Sequence, residues 1–197
     1  MRRGIRACIL LLLIAGCQAG SRTAGPQTQA VSGEAEAIAG RQAAPLLEER
    51  FGGVVDNTAA AERVQYIAQR LARANPDLQR EWRFALLASD KVNAFSLPGG
   101  LIYVTQGLYE RRVGEDNDLL AAVVAHEMAH VVSKDSLRPA CNSSSEALDR
   151  EMSADRLAAK YLSAAGYDAR HLSALLRLIE DVQPEGWAEA RMAALAR

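Results

Sequence analysis

The chain has 197 residues, 49% hydrophobic and 24% charged, with a formal net charge of -1. That is enough for one domain with its own core, and the near-neutral balance with scattered arginines excludes the basic patch a nucleic-acid partner needs. Aromatic residues make up only 5%, so the core is expected to be built from Ala, Leu and Val.

The first segment is expected to stand apart from the fold. Arg2, Arg3 and Arg6 form a positive start, residues 7–13 are apolar, and Ile14-Ala15-Gly16-Cys17 places small residues before a cysteine. This is the pattern of a lipoprotein signal over residues 1–16, with Cys17 acylated and anchored in the bilayer. The apolar stretch is too short for a comfortable span. An ordinary secretory signal or an uncleaved anchor would leave Cys17 incidental. The cysteine at the expected cleavage position favours the lipoprotein. Gln18 replaces the Asp that often retains lipoproteins in the inner membrane, which favours the periplasmic side of the outer membrane. Residues 17–33, rich in Gly, Ser, Thr, Gln and Ala, read as a flexible tether. Residues 34–197 are the domain. Cys8 leaves with the signal, so Cys141 is a lone thiol without a disulfide partner.

Residues 34–50 are expected to be helical despite Pro45. Asn57 or Thr58 can cap a second helix to residue 74, with Val64, Ile67, Ala68 and Leu71 on one face. Residues 81–89 have strand character. Residues 92–105 read as two short strands around Leu97-Pro98-Gly99-Gly100, where Pro and Gly suit the second and third positions of a type II turn. A short helix follows Thr105, then an apolar helix over residues 118–133. A polar loop spans 139–145, a helix runs over 145–164, and Gly166 stops it. Asp168 is expected to cap a helix reaching residue 181, and Gln183-Pro184 precedes a final helix.

The helix over residues 118–133 carries His126-Glu127-Met128-Ala129-His130. Residues four apart share a helical face, so both imidazoles can reach one ion, with Glu127 beside them as general base. Catalytic zinc takes a third protein ligand and keeps a position for water. Glu151 is the best candidate for that ligand. Asp155, four residues later on the same face, would orient a ligand histidine through its outer N–H. The competing reading is a core network without metal, but two histidines and a glutamate in a buried helix are costly without a partner.

These residues resemble the prenyl-protease-type gluzincin zinc metallopeptidases over most of the chain after Glu34. Asn93-Ala94-Phe95-Ser96-Leu97-Pro98-Gly99-Gly100 with Ile102, Val104 and Gly107-Leu108 is similar to the family's segment before the metal helix. The run from Asp116 to His130, that from Glu151 to Ala158, and Ala165-Gly166-Tyr167-Asp168 resemble its later blocks. The resemblance implies an α+β, zincin-like fold, mainly helical with a small antiparallel sheet beside the HExxH helix. It also implies one Zn²⁺ per chain and protein or peptide substrates, misfolded envelope proteins among them. Departures are visible. The stretch between His130 and Glu151 is short, which suggests an open cleft. Asp135 stands where a further histidine often follows. Gln183 stands in the family's His-Pro pair, and Arg191 follows at altered spacing.

The expected reaction is peptide hydrolysis by a zinc-bound water. Zinc would be held by His126, His130 and Glu151, with Glu127 as base. The strand near Asn93 would be the substrate edge, with Asn93 bonding the substrate backbone or acting as a strand-end asparagine. The alternative is a catalytically weak, chaperone-like binding lipoprotein of the same fold, motivated by the absent C-terminal histidine. Metal storage leaves Glu127 without a task.

Overall fold

The structure, a computed structural model, describes residues 33–56 and 58–196. The expected signal, Cys17, the tether up to residue 32 and Asn57 lie outside the described residues. No described helix is long and apolar enough to cross a membrane.

The elements follow in order. Helix α1 spans Gly33–Arg50, strand β1 Val54–Val55, α2 Ala59–Ala74, β2 Arg83–Leu87, β3 Ala94–Leu97 and β4 Leu101–Thr105. A short α3, Gln106–Leu108, runs into a π-helical turn over Tyr109–Val113. Then come α4 over Asn117–Val132, α5 over Ser144–Ala164, α6 over His171–Leu178 and α7 over Trp187–Leu195.

The helix starts follow local chemistry. Thr58, Asp116 and Ser143 each accept an N–H of the first turn, from Ala61, Leu119 and Glu146, satisfying donors that a helix leaves unpaired. Asp168 behaves otherwise than expected. Its carboxylate accepts the Arg170 N–H, and α6 starts after Arg170 with no side-chain cap and ends at Leu178. The chain then continues in a separate 3₁₀ turn, Glu180–Val182.

The sheet order is β1-β2-β4-β3. Here the structure corrects the expectation of a purely antiparallel sheet: β3 pairs antiparallel with β4, but β4 pairs parallel with β2. All five residues of β4 are buried. That strand is apolar on both faces, so it belongs inside the sheet, and its hairpin partner β3 is left at the edge. Gly99 at the hairpin turn has φ +81°, the left-handed value a type II turn requires at its third position. A Cβ there would stand 2.5 Å from the Ala37 Cα, so α1 closes directly onto the turn.

Alternation along β4 divides the core. Ile102 and Val104 join Leu86 and the faces of α2, α4 and α5. Leu101 and Tyr103 join Leu87, Phe95, Leu97, the α1 residues Ala44 and Leu47, and Phe51 just past the end of α1. Within the first cluster α4 is buried on nearly all sides. Its Ala121, Ala122, Ala125 and Ala129, with Ala154 and Ala158 of α5, are all buried, and small side chains let two helices approach closely. The expected core of Ala, Leu and Val is what forms.

Candidate metal centre

The α4–α5 contact carries the site. His126 faces Glu151 and Asp155, while His130 faces Glu151. Advancing along α4 therefore means going back along α5, and the two helices run antiparallel here. Nε2 of His126 and Nε2 of His130 are 3.1 Å apart. Glu151 Oε2 lies 3.2 Å from the first nitrogen and its Oε1 3.5 Å from the second.

These distances test whether zinc fits. Four-coordinate zinc with bonds of about 2.0–2.1 Å separates its ligand atoms by about 3.3–3.4 Å. The three separations, from 3.1 to 3.5 Å with the two Glu151 distances ending on different carboxylate oxygens, lie near that edge length. Two imidazole lone pairs turned toward each other at 3.1 Å repel unless a proton or cation sits between them. Glu151 Oε2 is buried, with His126 Nε2 and an Arg191 nitrogen each 3.2 Å away but neither aligned as a full hydrogen bond, and a bound cation would satisfy it fully. His126, His130 and Glu151 are thus able to hold one metal ion.

The outer nitrogens have their own partners. His130 Nδ1 lies 2.8 Å from Asp135 Oδ2, so Nδ1 donates and Nε2 is left with its lone pair toward the site. His126 Nδ1 lies 3.1 Å from Asp155 Oδ1, within reach although the alignment falls short of a full hydrogen bond. Asp155 also takes two hydrogen bonds from Arg191, Nε to Oδ2 and a terminal nitrogen to Oδ1, both 2.7 Å. The Arg191 side chain is 3% exposed and also stands 3.2 Å from Glu151 Oε2. Gln183 accepts from Arg191 and donates to the Leu176 carbonyl.

Charge sets the protonation of the metal-free site. Burial pushes His126 down, but the Asp155 and Glu151 carboxylates 3.1 and 3.2 Å from its ring nitrogens override it and lift the imidazole to about 10. Burial pushes Glu151 up, and the close approach of His126, with His130 and the Arg191 guanidinium beside it, brings it down to about 2. Asp155 is held well below the usual carboxylate range by Arg191 and His126, against its burial.

A groove of about 780 Å³ opens over the triangle. It is lined by Glu127, by residues 92–98 of β3 and its approach, by Ala39, Ala43 and Leu46 of α1, and by Leu172, Leu175 and Leu176 of α6. Asn93 lines it too, and its Oδ1 accepts the Ala94 N–H at 2.9 Å, so its side chain organises the strand end. A second set of possible ligands, Asp116, Asp118 and His171, lies where α4 and α6 begin, and helix N-termini disfavour a cation.

Of the residues expected from the sequence, His126, Glu127, His130, Glu151 and Asp155 come together, and Asn93 lies along the groove. Two participants were not expected in these roles. Asp135 is five residues past His130, outside any helical period. Arg191 was visible only as the arginine that follows Gln183-Pro184 at altered spacing, with nothing to tie it to Asp155.

Residues 58–148 match Peptidase family M48, and the match ends before Glu151. The chain is 36% identical over 73 residues to the mitochondrial metalloendopeptidase OMA1 of Schizosaccharomyces pombe, covering 37% of this chain and 21% of that protein. It is 28% identical over 81 residues to the putative beta-barrel assembly-enhancing protease of Vibrio cholerae serotype O1, covering 41% of this chain and 16% of that protein. The chain thus matches about a fifth or less of the length of these curated relatives.

Proposed function

We propose that the protein is a zinc-dependent endopeptidase that hydrolyses peptide bonds of cell-envelope proteins, held at the membrane through acylated Cys17. The observation that carries the chemistry is the convergence of His126 Nε2, His130 Nε2 and the Glu151 carboxylate at separations of 3.1–3.5 Å, with Glu127 lining the same groove. The M48 match and the two protease relatives support it. Zinc would supply Lewis acidity, making a water easier to deprotonate and a carbonyl easier to attack.

The remaining steps belong to the chain's own residues. Glu127 takes the proton of the attacking water and passes it to the leaving amine. Asp135 and Asp155 keep the two histidines in the tautomer that presents Nε2. Arg191 neutralises the buried pair Asp155 and Glu151, which would otherwise repel each other. Strand β3 orients the substrate. Asn93 exchanges hydrogen bonds with Thr105, and by the alternation of an antiparallel ladder Phe95 and Leu97 also turn toward β4. Ala94 and Ser96 turn outward. Asn93 occupies the Ala94 N–H, leaving the Ala94 carbonyl and both groups of Ser96 along the edge for an extended peptide.

The decisive experiment compares wild type with Glu127→Gln on a quenched peptide, with zinc content measured in the same sample. The variant should keep fold and zinc and lose cleavage by about a hundredfold or more. Equal turnover rejects the mechanism and leaves the binding-protein reading. Fatty-acid labelling that Cys17→Ser abolishes is the expected result for the anchor, and an unlabelled wild type rules it out.

A further inference from the structure

Helix α1 lies outside the segment that matches family M48, yet it reaches the ligand His130 through a chain of charged contacts. Glu36 of α1 has a side chain only 4% exposed, with its Oε1 2.5 Å from the Lys134 ammonium and its Oε2 3.6 Å from Arg80. Lys134 has φ +56° and is the one non-glycine residue with positive φ among the described residues. It directly follows Ser133, the C-cap of α4, the position where helices usually place glycine because a Cβ is unfavourable there. Nothing in the backbone asks for lysine. The ion pair with buried Glu36 does. The next residue is Asp135, buried, with its carboxylate on His130 Nδ1 at 2.8 Å.

We propose that Glu36 and Lys134 form a clamp that fixes the left-handed turn after α4 and so aims Asp135 at His130, making all three positioning residues of the metal site. This rests on reading His130 as a metal ligand. The chain of cause is short. The pairing of α1 with Lys134 sets where the turn stands. The turn sets where the Asp135 carboxylate stands. The carboxylate sets the tautomer and angle of His130. Arg138, 3.3 Å from Asp135 Oδ1 on the outer side, steadies the carboxylate from the other direction. Because α1 also walls the groove through Ala39, Ala43 and Leu46, the same helix bounds the groove and braces the site.

The test measures zinc release from the full-length protein in detergent, by stopped-flow transfer to a chromogenic chelator. Asp135→Asn should speed release about tenfold or more. Glu36→Gln and Lys134→Gly should speed it by about threefold or more, being one step removed along the same chain of contacts. Lys134→Arg, which keeps the ion pair, should restore the wild-type rate. Adding Glu36→Gln to Asp135→Asn should produce no further acceleration, since Glu36 acts only through Asp135. Lys134→Gly relaxes the turn but strips buried Glu36 of its nearest cation, so its metal-free thermal midpoint should fall. Glu36→Gln, which leaves the half-exposed Lys134 ammonium in water, separates positioning from folding: its metal-free midpoint should change less while its zinc still leaves faster. Wild-type release rates in Glu36→Gln and Lys134→Gly, or a further acceleration in the double variant, overturn the clamp alone. A wild type that takes up no zinc, or a His130→Ala variant that holds it as firmly, overturns the metal reading and the clamp with it.

Discussion

Asp155→Asn separates the two tasks of the most heavily bonded carboxylate in the site. Asp155 is 1% exposed, receives two 2.7 Å bonds from Arg191 and stands 3.1 Å from His126. Asparagine keeps the size and one acceptor but removes the charge. Breaking a buried pair by removing one partner costs about 3–5 kcal/mol. Arg191 retains Glu151 at 3.2 Å and Gln183 at 3.2 Å, which places the variant near the lower end, about 3 kcal/mol. For a chain of this size that lowers the thermal midpoint of the metal-free protein by about 6–12 °C. Zinc affinity should fall about ten- to a hundredfold, because His126 loses its anionic partner. The pH dependence gives a finer check. In the metal-free protein a proton on His126, lifted to about 10 despite burial, competes with zinc. Asp155 helps hold that proton, so its loss weakens the competitor as well as the ligand, and the gap between variant and wild type should widen from pH 7 to pH 9. Calorimetric unfolding and zinc-buffered titrations at both pH values measure these effects. A variant with wild-type midpoint and wild-type zinc affinity at pH 9 would refute the reasoning.

Three further outcomes are expected. One zinc per chain should bind, His126→Ala or His130→Ala should abolish tight binding, and Glu151→Ala should weaken it strongly. Full occupancy in Glu151→Ala, read by elemental analysis, would move the third ligand elsewhere. In the metal-free protein the stabilisation from Glu151, depressed to about 2, and from Asp155, also depressed, is present above their ordinary values of 4.5 and 3.8 and is lost as pH falls. That from His126 is present below its ordinary 6.5 and is lost as pH rises toward about 10. Their joint contribution is therefore greatest between those windows, and zinc uptake at pH 7 should release about one proton. Calorimetry in buffers of different ionisation enthalpy reads that proton, and its absence contradicts the scheme. Finally, Gly99→Ala places a methyl against the Ala37 backbone at φ +81°, and should cost about 1–3 kcal/mol in urea unfolding. An unchanged midpoint would mean that α1 does not close on the hairpin.

What the sequence determined by itself is local. Four-residue spacing puts His126 with His130, and Glu151 with Asp155, on single helical faces whatever the rest of the chain does, because helix geometry repeats every 3.6 residues. The apolar face of α2, its capping Thr58 and the Pro98-Gly99 turn were legible for the same reason: each depends on neighbours a few residues away. The tertiary structure alone decided what meets across distance. It put β4 parallel to β2, because a strand apolar on both faces is driven to the sheet interior and its hairpin partner is left outside. It brought Arg191 onto Asp155, 36 positions away, through the packing of α7 on α5. It turned Asp135 back onto His130 through a left-handed Lys134 that no periodicity marks. Hydrophobic pattern says which face of each element must be covered but not by which other element. Partners that depend on that choice become visible only once the core has closed.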